Sequence, residues 1–304
     1  MLRQNPCREL PMNSDVNTSA PHAFPYDEAD RDLLIAHIRK HFGVITGIGH
    51  TQLPSGRALD LLVVTPPSRR HVARLFSTPD SSSTGEETMI VTLGAGACPM
   101  NVPDDSALPS RAEYLIRLPS DWNVQSDEEE CSWPSRLLLN IASLPDSGQE
   151  YNSSGHTFSF RNDTPFAGNT RLCAALLTGM SERDGLCRLT GNASVAFHEV
   201  IPLYAEELTF VKEHGAVALI EEFIRYSIPR IVTPQRPNAA LLFMHRNNLL
   251  HALNTMKEKD FNRLVQQPPS SLEERLATSE FLRTEKGKKT SGIMSRAAHF
   301  LFRR

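Results

Sequence analysis

The sequence predicts an α+β domain with a mainly helical, basic C-terminal extension, and three observations carry that expectation. Apolar residues recur at helical spacing, then in short β-branched runs, then in a helix, strands and helices, an order unlike the regular alternation of a doubly wound fold. The 304 residues are 40% hydrophobic and 22% charged, enough apolar material for one large or two modest cores. The net charge of -3 is unevenly divided. Residues 227–304 carry 14 Lys and Arg against 6 Asp and Glu, which leaves a net -11 on residues 1–226 and marks the two parts as different units.

Residues 1–25, rich in Asn, Ser and Pro, are expected to form a flexible leader. DEADRDLLIAHIRKHFG then predicts an amphipathic helix: acids lead, Leu34, Ile35 and Ile38 share a face, basic residues close it and Gly43 terminates it. ALDLLVVTPP, ETMIVTLGAG and RAEYLIRLPSDW predict strands, the last with Ala112, Tyr114 and Ile116 on one face and Glu113, Leu115 and Arg117 on the other. The acidic run Asp127 to Glu130 is expected as a loop. In SWPSRLLLNIASLP, Pro134 suits a first helical turn, Leu137, Leu138, Ile141 and Leu144 make the stripe, and Pro145 closes it. DSGQEYNSSGHTFSFRNDTPFAGN has turn chemistry throughout and is long for a connection, the kind of segment that is often functional. TRLCAALLTG and ASVAFHEVIPLY return to strand character. In the extension, AALLFMHRNNLLHALNTM and LEERLATSEFL predict helices, followed by GKKTSG and SRAAHFLFRR.

Motifs for chemistry are sparse. HEVIPLYAEELTFVKEHG holds His beside Glu twice, but a zinc-protease helix needs His at the fifth position, where Pro202 stands. Its acids at Glu206 and Glu207, basic Lys212 and His214, and Gly215 instead describe a strand running into a short capped helix. Gly94 and Gly96 in TLGAGACPM lack a third glycine at dinucleotide spacing and a GKS or GKT sequence, so they predict a turn where backbone passes close to backbone. The cysteines, Cys7, Cys98, Cys131, Cys173 and Cys187, form no CxxC pair, which points to reduced thiols and to neither a disulfide framework nor a zinc site. Cys173, in an apolar run, is expected to be buried and inert. His156, on an expected exposed loop, has no base and orienting group in sequence. The basic C-terminus has no aromatics interleaved with its charges, so no nucleic-acid partner is expected. No run approaches the length of a membrane span and no signal peptide is visible, so the expected location is cytoplasmic.

Six blocks in order carry a resemblance: GACPMNVP at 96–103, RAEYLIRLPSDW at 111–122, WPSRLLLNIASLP at 133–145, GHT at 155–157, PFAGNTRLCAALL at 165–177 and VIPLYAEELTFVKEHGAVALIEEF at 200–223. Together they resemble the Suppressor of fused domain family over about residues 26–226. The sequence departs from the bacterial branch where a His-rich strand would follow the first helix, in the Ser-rich stretch at 79–87, and after Tyr226. The resemblance implies a mixed β-sheet flanked by helices that binds protein and carries out no catalysis, with no cofactor or metal. In animals the family sequesters transcription factors of the Hedgehog pathway. In bacteria similar domains look like immunity proteins of polymorphic toxin systems, and this compact chain is closer to that pattern.

The implied partner is therefore another protein, with a basic toxin domain as the candidate because residues 1–226 are acidic. Candidate partner-binding residues are Asp121 with Trp122, and Tyr151, Gly155, His156 and Thr157; the alternative, of at least equal weight, is that Trp122 and Trp133 are core residues and Gly155 is a turn glycine. Two rivals stand beside this: an enzyme using His156 with Glu or Cys residues, and a regulatory or effector protein binding a host or membrane partner.

Overall fold

The computed structural model describes residues 8–10, 26–67, 87–103, 108–147, 151–160 and 163–255. The expected segments LEERLATSEFL, GKKTSG and SRAAHFLFRR lie outside the described residues, as does the Ser-rich stretch apart from Glu87. The described residues divide into two compact units, one drawn from Met1–Ala216 and Pro229–Arg236, the other from Val217–Ile228 and Pro237–Arg304.

The larger unit is built on one mixed sheet. Its strands are β1 (Arg8–Leu10), β2 (Val44–Gln52), β3 (Ala58–Thr65), β4 (Glu87–Leu93), β5 (Arg111–Pro119), β6 (Thr157–Phe160), β7 (Ala174–Gly179), β8 (Leu186–Arg188) and β9 (Ser194–Leu203). Their order is β1-β6-β7-β9-β5-β4-β3-β2, with β8 on the N-terminal end of β9. The pairs β1/β6 and β5/β9 are parallel and the others antiparallel. The strand at Arg8–Leu10 replaces part of the expected loose leader.

Helices cover both faces. Helix α1 (Glu28–His41) starts where the Asp27 carboxylate accepts the Asp30 N–H at 2.8 Å, and it buries Leu34 and Ile38 with Leu62, Val64, Met89, Val91, Leu115 and Phe197. Helix α2 (Glu129–Ser143) buries Trp133, Leu137, Leu138 and Ile141 against Ala112, Tyr114, Ile116 and Leu118 on the other face. Because β5 has a core on each side, both of its alternating faces are buried. Helix α2 begins before the predicted point: Glu129 and Glu130, expected in a loop, form its first turn, so Pro134 lies inside the helix. Acids at a helix N-terminus face the positive end of its dipole, which favours this earlier start.

Besides β1, the strands β2, β6 and β8 were not anticipated. The strand β2 has no alternating apolar face because it lies at the sheet edge, and β6 occupies only four residues within the segment expected to turn throughout. In HEVIPLYAEELTFVKEHG the expected strand and capped helix are present: β9 ends at Leu203, and α4 (Ala205–His214) follows and stops at Gly215. The short helix α3 (Glu182–Gly185) links β7 to β8.

Buried carboxylates join these layers. Glu113, on β5, has no exposed surface. Its oxygens accept the Tyr26 hydroxyl at 2.9 Å, the Thr92 hydroxyl at 2.5 Å, and the N–H groups of Gly94, Ala95 and Gly96 at 2.9, 3.2 and 3.1 Å. Carbonyls of the same turn accept two guanidinium groups, Arg57 at Gly94 and Ala95 and Arg111 at Gly96 and Ala97. Gly96 is required because a Cβ there would stand 2.7 Å from the Tyr26 hydroxyl and 3.0 Å from the Ala112 backbone. This is the close backbone approach expected of TLGAGACPM. Burial pushes the Glu113 carboxyl above the usual range, opposed by the donors from Thr92, Gly94, Gly96 and Tyr26.

Residues 229–236 return to this unit as a strap. The Val232 N–H donates to the Arg117 carbonyl at 2.9 Å, and Arg230 donates to Glu199 at 3.0 Å, a buried acid also held by Arg117. Arg236 grips Glu207 with both Nη atoms and the Pro202 carbonyl with Nη2, while its own carbonyl accepts the Tyr204 hydroxyl at 2.6 Å. Glu207 also accepts the Tyr204 N–H at 3.1 Å, so one carboxylate caps α4 and anchors the strap.

The smaller unit contains most of α5 (Ala216–Arg225) and all of α6 (Ala239–Thr255). Arg246 binds Glu222 through two nitrogens at 2.9 and 3.2 Å, and the Tyr226 hydroxyl donates to the Leu242 carbonyl at 3.0 Å. Among the described residues no helix is long and apolar enough to cross a membrane.

The Glu113 cradle makes a prediction. Glu113→Gln keeps the volume but replaces an acceptor oxygen with a donor beside donors, so it should cost about 3 kcal/mol in urea denaturation, with Glu113→Ala at least as damaging.

Candidate functional site

Four of the six candidate residues share one turn at the head of β6. Gly155 adopts φ 88, a conformation that favours glycine, with open space where a Cβ would stand. Its N–H donates to the Leu177 carbonyl at 2.8 Å, and the Leu177 N–H donates to the His156 carbonyl at 2.9 Å, which continues the β6/β7 ladder into the turn. The Gly179 N–H donates to the Ser154 hydroxyl at 2.8 Å. Ser154 and Gly155 are exposed, Tyr151 is half-buried, and Thr157 is buried. His156 is buried too, at 6% exposure, which corrects the expectation of an exposed loop histidine: the ladder turns its side chain inward, beside the Tyr151 ring at 5.1 Å.

A residue the sequence did not single out fixes this turn. Asn152 is buried, and its amide nitrogen donates to the Tyr114 hydroxyl at 2.8 Å and to the Ile141 carbonyl at 3.0 Å, tying the turn to β5 and α2. Tyr114 stands opposite His198 in the β5/β9 register, with their rings 6.4 Å apart. Burial, with a smaller contribution from the charge of His156, pushes the His198 imidazole down to about 4. Both histidines therefore belong to the buried framework behind the turn.

Asp121 and Trp122 lie elsewhere, in the connection from β5 to α2. Asp121 is exposed; Trp122 is half-buried and packs on the core. The Trp122 indole N–H donates to the Cys131 carbonyl at 2.9 Å, and its ring meets Trp133 edge-on at 6.0 Å. Trp133 is buried and stacks on Phe166 at 5.3 Å, and Phe166 meets Phe160 of β6 at 5.2 Å. A row of aromatic rings thus runs from the Trp122 loop to the strand that carries the Tyr151–Thr157 turn. Asp127, Glu128, Glu129 and Glu130 are exposed beside Trp122, and no Lys or Arg occurs from Leu118 to Ser135.

Several described side chains suited to other chemistry are otherwise engaged. Glu113, Glu199 and Glu207 are each held by donors described above. Burial pushes the Cys173 and Cys187 thiols up to about 11, away from the reactive thiolate. Among the described residues, no three His, Cys, Asp or Glu side chains gather in a group able to hold a metal ion.

A family profile described as Suppressor of fused protein (SUFU) matches residues 68–237. An uncharacterized protein of Ureaplasma parvum serovar 3, UU111, is 26% identical over 141 residues, which cover 44% of this chain and 66% of that protein. Two solved structures are also similar. The Sufu–Fu complex gives 13% identity over 75% of this chain and 98% of that chain, with a TM-score of 0.49. Drosophila Suppressor of Fused gives 14% identity over 76% of this chain and 55% of that chain, with a TM-score of 0.47.

The neutral His198 sets an acid dependence. Its pKa is about 4 folded against 6.5 for the ordinary group, so between those values the unfolded chain binds more protons and stability falls as pH falls. The stability difference between the protein and its His198→Gln variant should shift by about 2 kcal/mol in the variant's favour from pH 7.5 to pH 5, read from urea denaturation at both values.

Proposed function

The chain belongs to the Suppressor of fused protein family, and on that premise we propose that it is a non-catalytic protein-binding module, an immunity protein that neutralises a basic toxin domain of a bacterial polymorphic toxin system. The observation that carries the non-catalytic part is the commitment of the buried acids. Glu113, Glu199 and Glu207 accept hydrogen bonds from backbone N–H groups, hydroxyls or guanidinium groups of their own unit. Each holds the scaffold in place, where an enzyme would aim such groups at a substrate.

The binding residues we assign are Asp121 and Trp122 in the β5-to-α2 connection, and Tyr151, Gly155, His156 and Thr157 at the head of β6. Trp122 and Tyr151, each half-buried, present aromatic surface already held in place by the core, so docking against them orders little side chain. The exposed acids from Asp121 to Glu130 set a negative field beside Trp122, suited to steering a basic partner. His156 and Thr157 act from behind, fixing the turn that presents Ser154 and Gly155. The cytoplasm is the location this role requires when the toxin acts there.

The test is co-expression with the product of a toxin gene encoded beside this one. Growth should be restored, purified complex should weaken as salt rises, and Trp122→Ala or Tyr151→Ala should raise the dissociation constant at least about tenfold with folding retained. Absence of protection would reject the immunity role. Affinity indifferent to salt would reject the basic partner, and loss of activity in a correctly folded His156→Ala variant that still binds would favour the enzyme reading.

A further inference from the structure

The far edge of the sheet from β6 is β2, and among the described residues β2 pairs with β3 alone. The Leu53 N–H donates to the Arg57 carbonyl at 2.9 Å, which sets the alternation of the antiparallel ladder behind it. Thr51 and Gly49 then direct their peptide groups inward to Leu59 and Leu61. The peptide groups of Ile48, His50 and Gln52 face outward, opposite Leu62, Asp60 and Ala58. The short His50–Asp60 side-chain contact, 2.7 Å, agrees with that phase, because side chains approach most closely at such positions.

Sheet edges are ordinarily blunted by charge, proline or irregularity. From Val44 to Gln52 there is no Lys, Arg, Asp, Glu or Pro, and Val44 and Ile48 are 65% and 49% exposed. The one irregularity of the strand lies between Ile45 and Gly47, so Gly47 to Gln52 keep an unbroken register. From Val44 to Gln52 the edge itself carries no Lys, Arg, Asp or Glu, and an identical edge is its neutral complement. The flanking charge selects the direction: exposed Arg39 and Lys40 end α1 just before Val44, and antiparallel pairing sends the two basic ends apart where parallel pairing would bring them together.

We propose that the β2 edge is a dimerisation surface, where a second copy of this chain adds its β2 antiparallel and continues the sheet across a two-fold axis at His50. In this register Ile48 of one copy faces Gln52 of the other, so outward peptide groups meet outward peptide groups and the interface is isologous. Each His50 is held by its own Asp60, whose carboxylate also lies 3.6 Å from Arg31.

Sedimentation of the full chain under reducing conditions, which removes any disulfide through exposed Cys98, tests this. A concentration-dependent dimer is expected. Ile48→Lys should raise its dissociation constant at least about tenfold, with thermal unfolding unchanged at concentrations low enough for both proteins to be monomeric. Adding Gln52→Glu to Ile48→Lys sets opposite charges across the axis and should restore the dimer. A wild-type chain that stays monomeric at every attainable concentration overturns the proposal, as does a dimer indifferent to Ile48→Lys or a double variant no better than the single.

Discussion

The Glu113 carboxylate, buried without any exposed surface, is the constraint on which the larger unit depends. A carboxyl group in an apolar interior is tolerated only when its lone pairs are taken up, and here five donors from three parts of the chain converge on the two oxygens of a fourth. Tyr26 comes from the lead-in to α1, Thr92 from β4, three N–H groups from the turn at Gly94 to Gly96, and the acid itself from β5. The turn is held from both electrical ends, its N–H groups by the acid and its carbonyls by Arg57 and Arg111. Arg57 also reaches Asp146, just past α2. One side chain thus sets the relation of the sheet to the entrance of one helix, and its counter-turn reaches the exit of the other.

Glu199 and Glu207 repeat the device with arginine. Both lie in the β9-to-α4 segment, and the strap at 229–236 supplies Arg230 and Arg236 to them. The family match, which ends at residue 237, includes that strap. Removing either guanidinium leaves an acid short of a cation in low dielectric, most severely at Glu207, where both partners are buried. These three acids are therefore committed to holding the scaffold, and that commitment is the support for the binding-module proposal.

Elements with a strong period were legible. The helix at Leu34 and Ile38, the strands around Leu62, Ile90, Leu115 and Leu176, and the strand-to-helix join at Pro202 to Gly215 all follow from apolar spacing and end chemistry. The strands β2 and β6 were not, for opposite reasons: β2 is an edge that needs no apolar face, and β6 is four residues bounded by turn formers. Glu113 and Arg117 were placed on the correct alternating face of β5, but alternation alone assigns such a face to solvent, and only α1 packing on it reveals that it is interior. At the candidate site the grouping of Tyr151 with Thr157 is local and readable. Asn152, which ties that turn to Tyr114 and Ile141, depends on contacts distant in sequence that no spacing announces.

The central claim, that the Glu113 cradle holds the unit together, is tested most directly by native-state amide hydrogen exchange at Gly94, Ala95 and Gly96. These amides should exchange only through global unfolding, with the same opening free energy as the core amides of Val91 and Tyr114. Exchange at the rate of a local loop opening, while Val91 and Tyr114 stay protected, would contradict the account.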